Sequence, residues 1–175
     1  MRFQIGRRPD GDESVESALL DCHGRIRDMT ALASRLASSA PATDDEVVEA
    51  ATRVSRYFSE SLPLHEADEE ESLRPRLIGT SEPVDSALAD MTAQHGDMHA
   101  HVDELVALTS SMAAEPSRRG DDGVAEGLAQ VVATLEDIWA RHLALEETVL
   151  LPAVTELDDA TKASMRAEMK ARRGE

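Results

Sequence analysis

Residues 62–75 read LPLHEADEEESLRP, and residues 142–152 read HLALEETVLLP. In each stretch a glutamate lies four residues after a histidine, and a second glutamate follows the first directly. A proline lies ten residues after the same histidine. The two pairs are His65 with Glu69 and His142 with Glu146. Residues four apart lie on one side of an α-helix, about 6 Å apart along its axis. Each stretch is therefore predicted to direct an imidazole and a carboxylate to the same point.

Two further segments carry histidines at related positions. His95 and His99 are also four residues apart, within QHGDMH (94–99), and His23-Gly24 weakly echoes His95-Gly96. The repetition indicates two helix-pair halves related by pseudo-symmetry, each supplying about half of a shared site.

Apolar residues recur at helical spacing around every histidine segment, which predicts long amphipathic helices. The first is capped by Asp12 or Ser14 and runs to about residue 38. The second opens at the capping box formed by Thr43 and Glu46 and continues through a kink at Pro63, to end near Gly79. The connection between these two helices contains Pro41.

The third helix is predicted to begin at Ser81 with Pro83 in its first turn, and the fourth to follow a polar loop over 116–123. Asp158 or Asp159 can cap a short last helix. The fold class is therefore all-α, an up-down-up-down four-helix bundle with a short C-terminal helix. The expected organisation is an N-terminal arm (1–12), the bundle (13–156) and the C-terminal helix (157–175).

The charge and the cysteine content of the chain argue against several kinds of partner and cellular location. The net charge is −17, with 35 acidic against 18 basic residues. Nucleic acid and an anionic membrane surface are therefore not expected as partners. Because Cys22 is the single cysteine, the chain can form no internal disulfide, which fits a reducing cytoplasmic compartment. With no long apolar run after Arg7 and Arg8, we expect neither a secretion signal nor a membrane span.

The histidines and glutamates interrupt the apolar sides of the four long helices, where core residues are expected. Burying two carboxylates is costly unless a cation offsets their charge. Imidazole with carboxylate suits iron, manganese or zinc. Buried histidines and acids bonded to one another are the alternative. A ferritin-like centre would show Glu-x-x-His, which none of the six histidines has.

These segments, with the tail RAEMKARRG (166–174), resemble the hemerythrin family of bacterial HHE cation-binding proteins over nearly the whole chain. The resemblance implies two oxo- or hydroxo-bridged, non-heme iron ions. It implies seven ligands: His23, His65, Glu69, His95, His99, His142 and Glu146. By resemblance Glu69 and Glu146 bridge the irons; His95, His99 and His142 serve one ion. His23 and His65 serve the other, which keeps an open position.

Several neighbouring residues are not assigned to the metal. His101 lies about 200° around the helix from His99 and is predicted to be exposed. Cys22 is expected to be a small core residue. Glu70, Glu71 and Glu147 are interpreted as solvated or as contacts to ligands, although Glu147 remains an alternative bridge to Glu146. Trp139 can line the ligand pocket or simply pack in the core.

The functional prediction is a binding or sensing protein for oxygen and related small molecules, namely O2, nitric oxide or peroxide. It rests on finding no further acid, base or substrate-orienting motif. The alternatives are a diiron peroxidase or catalase-like scavenger of peroxide, an iron-storage protein, and a metal-free interaction bundle. Since no output domain is recognised, a signal would pass to an unidentified protein partner through the acidic surface or the last helix.

Overall fold

A computed structural model describes residues 14–38, 40 and 42–175 of the chain. The predicted arm (1–12), with the proposed cap Asp12, lies outside the described residues, as does Pro41. Over the described ranges the chain is all-helical and contains no strand, as predicted.

The described residues form five helices, numbered here in chain order. Their bounds are α1, Val15–Ala37; α2, 44–77; α3, Glu82–Ala114; α4, 122–155; and α5, Asp159–Arg172. A short 3-10 turn, Pro116–Gly120, joins α3 to α4. None of these helices combines the length and the apolar character that crossing a membrane requires.

The predicted helix starts are confirmed where the structure describes them. Ser14, Ser81 and Asp158 each accept a hydrogen bond from a backbone N–H in the first turn of α1, α3 and α5. Thr43 and Glu46 form the reciprocal capping box that opens α2. Gly79 has a φ of 81° in the turn after α2, a conformation that glycine adopts without steric cost.

Three wide π-helical turns interrupt α2 and α4, which are otherwise α-helical. They are Tyr57–Ser61, Asp68–Leu73 and Glu146–Leu150. Each ends two residues before a proline, namely Pro63, Pro75 or Pro152. A proline has no N–H to donate to the carbonyl four residues earlier and its ring crowds that carbonyl. The wide turn, with bonds such as Arg74 N–H to the Glu69 carbonyl, accommodates this without ending the helix.

The core consists of two apolar clusters with a polar layer between them. On α1, for example, Leu19 belongs to one cluster and Ile26 to the other, and His23 lies between them. The same order holds on α2, where His65 and Glu69 fall between Leu62 and Leu73. Each of the first four helices contacts two of the others, and α5 packs on α1 and α2. The polar layer is therefore enclosed on both sides by apolar side chains.

Candidate metal centre

Six side chains from the first four helices converge in the polar layer. Each is at most 5% exposed, so water has little access to their polar atoms. The six are His23 from α1, His65 and Glu69 from α2, His95 from α3, and His142 and Glu146 from α4. At this depth the carboxylates need positive partners, and the imidazole nitrogens need hydrogen-bond or metal partners.

The six residues form two groups of four, each of which could hold one metal ion. Within a group the candidate ligand atoms all lie within 4.8 Å of one another. The first group contains His23 and His65, and the second contains His95 and His142. Both groups contain Glu69 and Glu146. Two adjacent ions would therefore share both carboxylates.

Each glutamate divides its two oxygens between the two groups. Glu69 Oε1 lies 2.9 Å from His65 Nε2, and its Oε2 lies 3.0 Å from His95 Nε2. Glu146 Oε2 lies 2.9 Å from His23 Nε2, and its Oε1 lies 2.7 Å from His142 Nε2. A carboxylate with one oxygen at each of two positions has the arrangement of a bridging ligand.

Some of these close pairs are not hydrogen bonds. His65 Nε2, Glu69 Oε1 and Glu146 Oε1 are buried and have no hydrogen-bond partner among the described residues, although nitrogen and oxygen are within 3 Å. Their relative orientation misses the geometry that a shared proton requires. This is expected when a nitrogen and an oxygen both face a third atom. The donor set, imidazole nitrogens with carboxylate oxygens, fits a divalent transition metal.

The electrostatics of the layer couple the rings to the carboxylates. Burial opposes ionisation of Glu69, but His65 and His95 outweigh this effect and hold its pKa well below the usual range. The same pairing overcomes the burial of His65 and raises its pKa well above the usual value. The pKa of His95 is likewise raised, against burial, to about 9 by Glu69. Protons on His65 and His95 thus compensate the Glu69 carboxylate, and a metal ion would replace those protons.

Glu147 orients His23 from outside the layer. Its Oε1 lies 2.9 Å from His23 Nδ1 and also accepts a 2.8 Å hydrogen bond from Arg27. Partial burial opposes ionisation of Glu147, but Arg27 and His23 lower its pKa. An ionised carboxylate here accepts a hydrogen bond from the Nδ1–H, so the ring proton stays on Nδ1 and Nε2 is free to bind a metal.

Two more rings have outer partners of this kind. Glu70 Oε1 lies 3.1 Å from His95 Nδ1 and accepts a 2.7 Å hydrogen bond from the Thr92 hydroxyl. Gln94 Oε1 lies 2.9 Å from His142 Nδ1. The amide at His142 is neutral, whereas Glu70 is a carboxylate. The two rings of the second group therefore have partners of different charge.

The structure does not bring His99 to the other six residues. Its side chain is 58% exposed, and its Nε2 lies 3.0 Å from Glu66 Oε2 at the edge of the layer. The spacing of four residues from His95 predicted a ligand, but it also moves the side chain about 6 Å along the axis and 40° around it. Each group accordingly contains two histidines, whereas the resemblance implies three for one ion and two for the other.

Other residues near the layer differ in part from the sequence expectations. His101 is half-buried rather than exposed, and lines a groove between α3 and α4 with Gln94. Cys22 is buried, as predicted for a small core residue. Trp139 packs in the core between Phe58, at a 6.4 Å ring distance, and His142, at 6.1 Å. The indole therefore contacts a candidate ligand as well as the apolar core.

Sequence reasoning missed three outer contacts that the structure shows. Arg27, Thr92 and Gln94 were not singled out as part of the centre. Thr92 and Gln94 lie within three residues of His95, so proximity to the motif was an available signal. Arg27 reaches Glu147 across 120 positions of sequence, and no local pattern indicates that contact.

Comparison with known families agrees with this geometry. Residues 14–154 match the family described as Hemerythrin HHE cation binding domain. None of the curated proteins compared with the chain matches it. The matched range contains all six converging residues and covers most of the sequence. The chain therefore belongs to the hemerythrin HHE cation-binding domain family.

Proposed function

We propose that this chain is a non-heme diiron protein that binds or senses oxygen and related small molecules, O2, nitric oxide or peroxide. The observation that carries the proposal is the division of Glu69 and Glu146 between the two groups of four. Two carboxylates that each face both positions favour a pair of bridged ions over two separate ones. Imidazole and carboxylate ligands suit iron in such a pair.

Room for a small ligand is part of the proposal. Each group offers four ligand atoms, two from histidines and one from each shared glutamate. Non-heme iron with histidine and carboxylate ligands commonly keeps further positions for exogenous molecules. The enclosing apolar side chains restrict those positions to small molecules. When bound, iron would supply the redox chemistry, and the chain would orient it and exclude bulk water.

We also propose the up-down-up-down arrangement of the four long helices. His95 of α3 pairs with Glu69 of α2, and His99, one turn later on α3, pairs with Glu66, which lies earlier on α2. The two helices therefore run in opposite directions. Gln94 on α3 contacts His142, and His101 shares its groove with Thr134, so α3 and α4 also run in opposite directions. These pairings support antiparallel neighbours around the polar layer.

Iron storage is disfavoured relative to binding or sensing. Over the described residues, the groups that could hold a metal are the two that share both glutamates. They would hold two ions, too few for a reserve. We also propose that the chain works in the cytoplasm, which fits its single, unpaired cysteine. An unidentified protein partner that binds its acidic surface is part of the same proposal.

The experiment is elemental analysis and visible spectroscopy of protein purified from iron-replete cells. We expect about two irons per chain and the absorption of an oxo- or hydroxo-bridged pair. One zinc, or no metal after iron-rich growth, would contradict the proposal. Steady-state consumption of added peroxide by the iron-loaded protein separates the functions. Reversible spectral changes with O2 or nitric oxide and no turnover indicate binding or sensing, whereas sustained turnover identifies a scavenger.

A further inference from the structure

The last helix covers the wide turn that carries Glu69. Helix α5 spans Asp159–Arg172, beyond residues 14–154 that match the family. It packs on the π-helical segment Asp68–Leu73, whose second residue is Glu69. Met165 and Met169 of α5 are buried in the adjoining apolar cluster. The appended helix is therefore in direct contact with the segment that presents a candidate bridging ligand.

Two arginines at the end of α5 hold the residue before Glu69. Arg172 Nη1 donates a 2.9 Å hydrogen bond to Asp68 Oδ1, and Arg173 Nη2 donates a 2.6 Å bond to Asp68 Oδ2. The Asp68 side chain is 0% exposed, so water cannot substitute for these donors. Each oxygen of the carboxylate is bound by a different arginine. This fixes both the position and the orientation of the Asp68 side chain.

The contacts extend over the rest of the wide turn. Arg172 also donates to Ser72 Oγ at 2.9 Å and to Glu71 Oε2 at 3.1 Å. The Ser72 hydroxyl in turn donates a 2.6 Å bond to Glu168 of α5. Three polar side chains of this turn are thus bound to α5. Wide π-helical turns are rare and frequently lie at functional sites. The contacts with α5 therefore fall on the turn that carries Glu69.

The turn that presents the other glutamate is held differently. Glu147, next to Glu146, is bound by Arg27 and His23 of α1. The two candidate bridges are therefore fixed by different parts of the chain, one by α1 and the other by the appended helix. A change at the end of α5 should act on Glu69 and leave Glu146 in place.

We infer that Arg172 and Arg173 are positioning residues of the metal centre, which hold Glu69 between the two metal positions by binding Asp68. The inference rests on the proposed function, since it needs two ions that share Glu69. The arginines touch no candidate ligand. They act through the neighbouring residue, by keeping the wide turn in the conformation that directs Glu69 inward.

The test uses the full chain loaded with ferrous iron. Arg172→Ala, Arg173→Ala and Asp68→Asn are compared with the unaltered chain in resistance to a ferrous chelator and in the visible spectrum. Substituting residues that orient metal ligands typically weakens metal binding by about 10- to 100-fold. We expect each variant to lose its iron at a chelator concentration about tenfold lower, or lower still, than the unaltered chain does. The visible absorption of the bridged iron pair should also change. Arg172→Lys and Arg173→Lys, which keep the charge, should recover part of the loss.

Two controls separate this role from simple docking of the helix. Lys170→Ala removes one positive charge from an exposed position of α5 and should change neither readout. Met165→Ala loosens α5 by removing a side chain that is 1% exposed, without touching Asp68. It should lower the melting temperature of the metal-free form but preserve the spectrum of the loaded form. Far-ultraviolet circular dichroism confirms that each variant is folded.

The outcomes distinguish failure of this inference from failure of the proposed function. If the unaltered chain does not bind two irons, the proposed function fails. If it does, and the arginine and Asp68 variants keep its iron and its spectrum, the inference is wrong. Equal iron loss in Met165→Ala and Arg173→Ala would also overturn it, because α5 would then act only through general stability. Should one of the two arginine-to-alanine variants not fold, the other variant and Asp68→Asn still decide.

Discussion

Glu146 and Glu147 contact opposite nitrogens of one ring. Glu146 Oε2 lies 2.9 Å from His23 Nε2, and Glu147 Oε1 lies 2.9 Å from His23 Nδ1. Glu146 is also 2.7 Å from His142, whereas Glu147 is bound by Arg27. Neighbours in sequence therefore have different positions: Glu146 lies inside the polar layer and Glu147 supports it from outside.

This difference predicts unequal effects of removing the two carboxylates. Glu146→Ala takes a ligand from both metal positions and leaves their mutual repulsion less compensated, so the protein should lose its iron. Glu147→Ala leaves all six converging residues in place and removes the partner of one ring. It should weaken iron binding by about 10- to 100-fold without abolishing it. Iron content and competition with a chelator measure both effects.

Glu104→Ala is the matched control, because Glu104 is an exposed acid of α3, and it should behave like the unaltered chain. Loss of iron in Glu147→Ala together with retention in Glu146→Ala would reverse the assignment and place the bridge one residue later.

The two histidines of α3 are predicted to differ in the same way. His95 is 5% exposed and contacts Glu69, whereas the side chain of His99 is 58% exposed and contacts Glu66. His95→Ala should lower the iron content and alter the spectrum. His99→Ala should leave both unchanged. If His99→Ala also removes iron, the side chain turns inward when the metal binds.

Metal removal should lower the melting temperature. Without a cation, Glu69 and Glu146 remain buried at 0% and 2% exposure, and burying two carboxylates without a metal ion costs stability. A ligand at 100 times its dissociation constant stabilises a fold by about 2.7 kcal/mol, which corresponds to about 5–10 °C for a chain of this size. Calorimetry before and after chelation measures the shift. An unchanged melting temperature would show that these residues do not hold the metal.

The stability of the metal-free protein should depend on pH. The pKa of His95 rises from 6.5 to about 9 on folding, because Glu69 outweighs the burial of the ring. A raised pKa in the folded state gives stability that is fully present below pH 6.5 and is lost as the pH rises through 9. Urea unfolding of the metal-free chain should therefore give a lower free energy of unfolding at pH 9.5 than at pH 6.5. His95→Ala should reduce this difference.

The sequence by itself determined the helices and most of the centre. Apolar periodicity and the caps at Thr43, Ser81 and Asp158 depend on local chemistry, so they could be located without tertiary information. The spacing of His65 with Glu69, and of His142 with Glu146, fixes their relative angle on one helix. The structure keeps both pairs together. The family match then agrees with the resemblance that these motifs carry.

The wide turns were not predicted, although a signal was present. Each of the three ends two residues before a proline, and each proline was noted in the sequence. Regular apolar spacing is the pattern of a uniform helix, in which a proline indicates a kink rather than a change in hydrogen bonding. The number of residues in the turn alters which side chains face inward after it.

Only the tertiary structure decided which residues share a point in space. Helical spacing sets the angles between side chains of one helix. It does not set the rotation of that helix about its axis, or the height at which a neighbouring helix packs against it. Those quantities place Glu146 inside and Glu147 outside, and leave His99 at the edge beside Glu66. They also bring Arg173 to Asp68 across 105 positions of sequence. Contacts of this kind follow from the packing of whole helices, because no local pattern specifies a partner so distant in the chain.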